Sequence, residues 1–335
     1  MLTVNPGSFN PDELQEAAEL IRKGEIVAFP TETVYGLGAD ATNAKAIEKI
    51  FMAKERPSDN PLIVHVVGMD MLKKCVDDLP EIAKQLIDKF WPGPLTLVLK
   101  RSEYISDMVT KGLDTVAIRS PNHPVAQALI TLSQRPIAAP SANLSGRPSP
   151  TSASHVIEDL EGRIPLVIDG GATQVGVEST VISLVSHPPT LLRPGGITKE
   201  QLLKIIPNLE VKVDRELERL SPGTRYPHYA PRKELILLVG FEKEEQVDKI
   251  LLAENQRIVL LCSNPLHSHD PEIHTVLLGK SLEEIQRNLF SNLRNIDHLP
   301  VTKAYVEEVE SHAEGLAIMN RLKKAASRML SPNSQ

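Results

Sequence analysis

The stretch Phe29-Pro-Thr-Glu-Thr-Val-Tyr-Gly-Leu-Gly38, followed after a short interval by Lys54-Glu-Arg-Pro-Ser-Asp-Asn-Pro-Leu-Ile-Val-His-Val66, decides how this chain is read. Ile26 to Phe29 is an apolar strand interrupted by Pro30. A polar, glycine-bearing loop follows, then a helical pattern from Asn43 to Ala53. A charged turn leads into a second apolar strand, Leu62 to Val67. Hydroxyl, amide and cationic side chains therefore collect at strand ends, where α/β folds place their sites.

Pro57 disfavours the helical region for Arg56, which predicts that Lys54-Glu55-Arg56 ends extended. In extended chain the side-chain period is two, so Lys54 and Arg56 point the same way and Glu55 points away. Two cations side by side suit a polyanion such as a triphosphate. The competing reading is a helix C-terminus carrying its usual favourable cations.

N-terminal to this stretch, Asn10 is placed to cap a helix, with Pro11 at the first helical position, Glu13 completing a capping box and Gly24 ending the element. C-terminal to it, helices are predicted at Glu81 to Phe90, Val125 to Leu132 and Ser152 to Leu160. Strands are predicted at Leu95 to Leu99, Thr115 to Arg119, Ile137 to Ala139, Leu166 to Asp169, Thr180 to Val185 and Thr190 to Arg193. The two kinds do not alternate strictly, and several strands follow one another late, which predicts a mixed, twisted sheet. Between Pro207 and Arg232 the pattern changes. Ser221-Pro-Gly-Thr-Arg-Tyr-Pro-His-Tyr-Ala-Pro231 reads as an extended linker, and its tyrosines and histidine set it apart from a passive Gly/Ser tether. Beyond it, strands at Leu235 to Val239, Arg257 to Cys262, His274 to Leu278 and Ala304 to Glu307 alternate with helices at Glu242 to Ala253, Ser281 to Leu293 and Glu314 to Ser327. That is the pattern of a small parallel α/β domain. The expected organisation is residues 1–207 as a first α/β domain, 208–232 as a linker, and 233–335 as a smaller, Rossmann-like one, in keeping with 335 residues at about 150 per domain.

A formal net charge of −6 argues against a dedicated nucleic-acid binder at the level of the whole chain. The two cysteines, Cys75 and Cys262, lie far apart without metal-ligand spacing, which fits a reduced, cytoplasmic protein. Asn143-Leu-Ser145 is a formal glycosylation sequon, discounted because no signal-peptide pattern precedes it. No apolar run approaches the ~20 residues of a membrane span.

Gly36-Leu-Gly38-Ala-Asp-Ala41 matches a dinucleotide-binding pattern weakly, and a tight turn is the better reading of its glycines. Ser141 and Asn143 follow Pro140 at a strand end and share a face if extended, either as phosphate-facing groups or as an ordinary turn. Arg119 ends a strand, placed either to fork a carboxylate or to sit solvated at the surface. His65 lies in an apolar strand, where a satisfied core histidine is the commoner case. Glu32, Asp40 and Glu178 are scattered, and no paired-carboxylate or Ser-His-Asp arrangement stands out. Positioning and charge stabilisation would therefore carry any chemistry.

Phe29-Pro-Thr-Glu-Thr-Val-Tyr-Gly-Leu-Gly, Lys54-Glu-Arg-Pro, Asn60-Pro-Leu, Trp91-Pro-Gly-Pro-Leu-Thr, Arg119-Ser-Pro, Ala139-Pro-Ser-Ala-Asn-Leu-Ser-Gly and Arg193-Pro-Gly together resemble the YrdC-like family. The linker and the α/β tail resemble its longer, two-domain form. The resemblance implies a twisted α/β domain with a cationic concavity, and an enzyme that joins L-threonine, bicarbonate or carbon dioxide, and ATP into threonylcarbamoyl-adenylate and pyrophosphate. Mg²⁺ would accompany the ATP phosphates. A downstream transferase complex would then pass the threonylcarbamoyl group to tRNA. Carried over by position, the resemblance makes Lys54, Arg56, Asn60, Thr115, Ser141, Asn143, Ser149, Arg193 and Tyr229 the ATP site, with Lys54, Arg56, Ser141 and Asn143 nearest the chemistry. Thr33, His65, Arg119, the Ala139 backbone and Ser179 become the threonine pocket. The linker's aromatic content separately suggests that Tyr226, His228 and Tyr229 fold over that pocket as a lid. Two other readings stand beside this one: a double-stranded RNA or tRNA binding module without chemistry of its own, and a carbamoyl-phosphate-using domain.

Overall fold

Local signals set the element ends. The Asn10 side chain accepts from Asp12 N at 3.1 Å while Glu13 Oε1 accepts from Asn10 N at 2.8 Å, the expected capping box. The first turn, Pro11–Leu14, is 3₁₀ and continues as the helix Gln15–Arg22, and Gly24 turns the chain with φ +76°. This computed structural model describes residues 1–57, 60–211, 229–241, 244–254, 257–263 and 273–332. They form two compact units, Met1–Ser145 with Ser149–Tyr226, and Gly146–Pro148 with Pro227–Gln335.

The strands of the first unit are β1 (Leu2–Thr3), β2 (Val27–Phe29), β3 (Gly36–Asp40), β4 (Ile63–His65), β5 (Leu95–Lys100), β6 (Thr115–Arg119), β7 (Ile137–Ala138), β8 (Leu166–Asp169), β9 (Thr180–Ser183), β10 (Thr190–Arg193) and β11 (Glu210–Val211). They make one mixed sheet in the order β1-β8-β2-β3-β7-β4-β6-β5-β9-β10-β11. Both faces are buried. Val27 and Phe29 pack with Leu14, Ile21 and Leu129 on one side, while Ala28 joins Ile47, Ile50 and Leu97 on the other. Continuous apolar strands are what such a doubly covered sheet requires.

Two expectations fail here. The glycines of Gly36-Leu-Gly38 do not make a tight turn but lie within β3, antiparallel to β2 and β7. Their role is close approach: a Cβ on Gly38 would stand 2.6 Å from Ile137 Cγ2 and 2.7 Å from Phe29 Cε1. Likewise Lys54-Glu55-Arg56 is not extended. The helix Ala44–Lys54, capped by Asn43, runs one residue further than predicted, and Glu55 takes the left-handed conformation at φ 51°, ψ 38°. Arg56 N then reaches Phe51 O at 3.0 Å, the longer bond of a Schellman end. The helix therefore ends at the left-handed Glu55, two residues before Pro57.

In the second unit, β12 (Glu234–Leu238), β13 (Ile258–Cys262), β14 (Ile273–Leu277), β15 (Lys303–Glu307) and β16 (Arg328–Leu330) form a wholly parallel sheet ordered β14-β13-β15-β12-β16. The helices Glu244–Leu252, Leu282–Asn295 and Glu314–Ala325 connect them, the Rossmann-like alternation read from sequence. The short segment Gly146–Pro148 is held within this unit. Arg147 pairs with Asp297 at 3.2 Å, Arg294 Nη2 donates to Pro148 O at 2.6 Å, and Ala230 N donates to Gly146 O at 3.0 Å. Most of the predicted linker, residues 212–228 and with them Tyr226 and His228, lies outside the described residues. Among the described residues no helix is long and apolar enough to cross a membrane.

Candidate active site

The loop from Pro30 to Tyr35 organises the first unit's polar residues. Thr31 Oγ1 donates to Val34 O at 2.7 Å and lies 2.8 Å from Thr33 Oγ1, closing the loop on itself. Its main chain gathers three other segments. Gln174 N and Val175 N donate to Glu32 O at 3.1 and 2.8 Å, Tyr35 N donates to Pro150 O at 2.9 Å, and Ala142 N donates to Tyr35 O at 2.8 Å. Ser141 to Asn143, Ser149 and the approach to Glu178 are thereby tied to one turn.

Arg119 is 3% exposed, so it is no surface arginine. Nη1 donates to Thr33 Oγ1 at 2.9 Å and Nη2 to Glu32 Oε2 at 3.1 Å. Burial draws the guanidinium pKa below its ordinary value, and the Glu32 carboxylate pushes it back. The parallel register of β4 and β6 sets His65 beside Arg119. Burial, then the Arg119 charge, lowers His65 to a pKa of about 3, so its ring is neutral. Nδ1 lies 3.2 Å from Ile137 O. A carbonyl only accepts, so the proton is on Nδ1 and Nε2 is left as an acceptor. His65 is thus both a satisfied core residue and a neighbour of the site.

Lys54, 1% exposed, donates from Nζ to the carbonyls of Ser141 and Asn143 at 2.5 Å each. The segment is not extended but bends at Ala142 and Asn143, and Ser141 Oγ donates to Asn143 Oδ1 across the bend. Ser179 Oγ lies 2.7 Å from Thr96 Oγ1, while Arg193 Nη2 donates to Ser179 O at 2.9 Å and to Ser179 Oγ at 3.3 Å. Ser149 Oγ donates to Glu178 Oε1 at 2.6 Å. Ala139 N donates to Ile63 O at 2.9 Å, which seats its backbone beside β4.

Arg56 reaches Pro61 O at 3.5 Å, and Thr115 opens β6, the strand that Arg119 ends. Thr115 and Arg119 mark the two ends of β6, about 13 Å apart at roughly 3.3 Å per residue. Tyr229 belongs to the second unit, stacked on Phe290 with ring centroids 5.1 Å apart. The residues that the sequence reading passed over are Glu32, Thr96 and Glu178. Glu32 carried little local signal, because it sits between two threonines in a polar loop and only the fold closes that loop onto Arg119.

The chain is similar to known proteins over nearly its whole length. A family model described as "Telomere recombination", the Sua5–YciO–YrdC model, matches residues 19–195, more than half of the chain. The chain belongs to this family. A second model, described as the C-terminal domain of threonylcarbamoyl-AMP synthase, matches residues 197–327. The threonylcarbamoyl-AMP synthase of Pyrococcus abyssi is 47% identical over 326 residues, covering 94% of each chain. That of Bacillus subtilis is 46% identical over 328 residues, covering 95% of this chain and 94% of the other. The crystal structure of P. abyssi Sua5 complexed with L-threonine superimposes with a TM-score of 0.91 at 46% identity, covering 98% of both chains. The family's two-part organisation therefore accounts for nearly the whole sequence, with the mixed sheet and the parallel sheet each in place.

Proposed function

We infer that this chain is a threonylcarbamoyl-AMP synthase. It condenses L-threonine, carbon dioxide or bicarbonate, and ATP into threonylcarbamoyl-adenylate and pyrophosphate, and a transferase acting on tRNA consumes the product in the cytoplasm. The observation that carries this reading is the buried Arg119, bonded to Thr33 and flanked by neutral His65, in a chain so similar to a protein crystallised with threonine.

Arg119 takes the threonine carboxylate with its planar fork. Thr33 and Ser179 read the amine and hydroxyl, and the Nε2 lone pair of His65 is suited to accept from the hydroxyl. A site that hydrogen-bonds a hydroxyl rejects analogues lacking it far better than an apolar pocket does. The amine adds to carbon dioxide and loses a proton, giving a carbamate. A carbamate oxygen then attacks the α-phosphorus and pyrophosphate leaves. Lys54, Arg56, Asn60 and Arg193 face charge that grows on the phosphates, with Ser141, Asn143, Ser149 and Thr115 as further nucleotide ligands. Among the described residues no three His, Cys, Asp or Glu side chains converge to hold a metal ion. Mg²⁺ would enter with the nucleotide.

The test is pyrophosphate release from ATP with threonine and bicarbonate each omitted in turn. Release that needs both, and that falls sharply when serine replaces threonine, supports the synthase. No release in any combination, together with RNA binding that weakens steeply with salt, overturns it in favour of a binding module.

A further inference from the structure

The ion pair between Arg119 and Glu32 is only half made. Arginine and carboxylate commonly fork with two parallel bonds, yet here a single bond joins Nη2 to Oε2. Glu32 Oε1 accepts no hydrogen bond, and Arg119 Nε donates none, although both atoms are shut off from solvent. Both residues are 3% exposed. A buried polar atom without a partner costs about 1–3 kcal/mol, and more when charged. The two orphans have opposite needs: the carboxylate oxygen lacks a donor, the guanidinium N–H lacks an acceptor.

One class of ligand meets both needs. An α-amino acid carries an ammonium group and a carboxylate on the same carbon, and its zwitterion adds no net charge to a buried ion pair. A plain hydroxy acid would satisfy Arg119 and set a second carboxylate beside Glu32, where like charges repel. We propose that Glu32 is the ammonium-binding, specificity-determining residue of the amino-acid site, a role that rests on the threonine-activating reading above. The ligand carboxylate goes to Arg119, and Glu32 turns its spare oxygen to the ligand ammonium. Arg119 and Glu32 hold each other until that exchange, so neither charge is ever buried alone.

The experiment compares L-threonine with 3-hydroxybutyrate, which keeps the hydroxyl and carboxylate but lacks the ammonium. Affinities are measured by calorimetry and by competition for the full-length wild type and for Glu32→Gln. The wild type should prefer threonine by at least about 100-fold. Glu32→Gln should weaken threonine at least tenfold and leave 3-hydroxybutyrate unchanged or tighter, so that the preference collapses. Equal weakening of both ligands, or threonine binding at the wild-type level, overturns the proposal; the first result would make Glu32 only a support for Arg119. Glu32→Asp carries the same test should the glutamine variant not fold, since threonine alone should weaken. A wild type that binds no threonine would strike the synthase reading itself, which separates the two failures.

Discussion

Lys54 and Ser141, 87 residues apart in sequence, are joined by a hydrogen bond from the lysine Nζ to the serine carbonyl, and a second bond runs to the carbonyl of Asn143. The last residue of a helix thus closes on the segment that presents Ser141 and Asn143. The cation read from sequence as a phosphate ligand is also the staple of its own site.

Replacing it by an uncharged side chain of similar length should show both roles. Lys54→Met leaves two carbonyls to find new donors, at about 1–3 kcal/mol each. Thermal unfolding should shift down, and pyrophosphate release should drop by about 100-fold or more as charge stabilisation is lost. Normal turnover at a lowered melting temperature would leave Lys54 with the structural role alone.

Arg119→Lys keeps the charge and loses the fork that spans Thr33 and Glu32. Steady-state kinetics should show the KM for threonine raised by more than about tenfold, with the KM for ATP nearly unchanged. Thr115, one of the residues assigned to the nucleotide, stands at the other end of β6, about 13 Å from Arg119.

Acid should destabilise the protein through its buried histidines. His65 is held near a pKa of about 3, chiefly by burial, and His123 near about 4 for the same reason. Both are depressed from the ordinary 6.5, so the unfolded chain takes up their protons first as pH falls. The stability they contribute is complete above pH 6.5 and drains away toward pH 4, at up to about 1.4 kcal/mol per pH unit for each. Denaturant titrations at several pH values should show this, and His123→Asn should flatten the slope.

Asp297→Ala should cost about 3–5 kcal/mol, because it strips a buried partner from Arg147 and acceptors from Arg232 N at 2.8 Å and Lys233 N at 3.4 Å. Ser149 lies two residues beyond Arg147, so the KM for ATP should rise as well. Chemical denaturation and kinetics on one preparation read both effects.

Gly38→Ala should destabilise by about 1–3 kcal/mol, since its Cβ would meet Ile137 and Phe29 side chains well inside contact distance. Denaturant midpoints decide it, and a wild-type midpoint would show that β3 has room to shift.

Much of this was legible in the residues. Asn10 and Pro11 placed the start of the first helix, and the apolar runs of β5, β6 and β8 declared themselves. The glycine-rich β3 did not, because strand propensity argues against Gly-Leu-Gly and only the crowding by Phe29 and Ile137 explains it. Arg119, Thr33 and His65 were identified as site residues through motif resemblance, while local reasoning left each open. What no local signal gave was partnership. That Glu32 faces Arg119, or that Lys54 reaches Ser141, depends on strand register and loop closure across some 87 residues.

Gly146–Pro148 has a consequence for how such a protein can change over generations. These three residues are encoded between Asn143 and Ser149, yet their carboxylate and donor partners, Asp297 and Arg294, are encoded 146 to 150 positions downstream. A recombination that exchanged C-terminal domains between relatives would split these pairs unless both ends matched. Arg147 and Asp297 therefore act as a pair, and a domain exchange that keeps both preserves the contact.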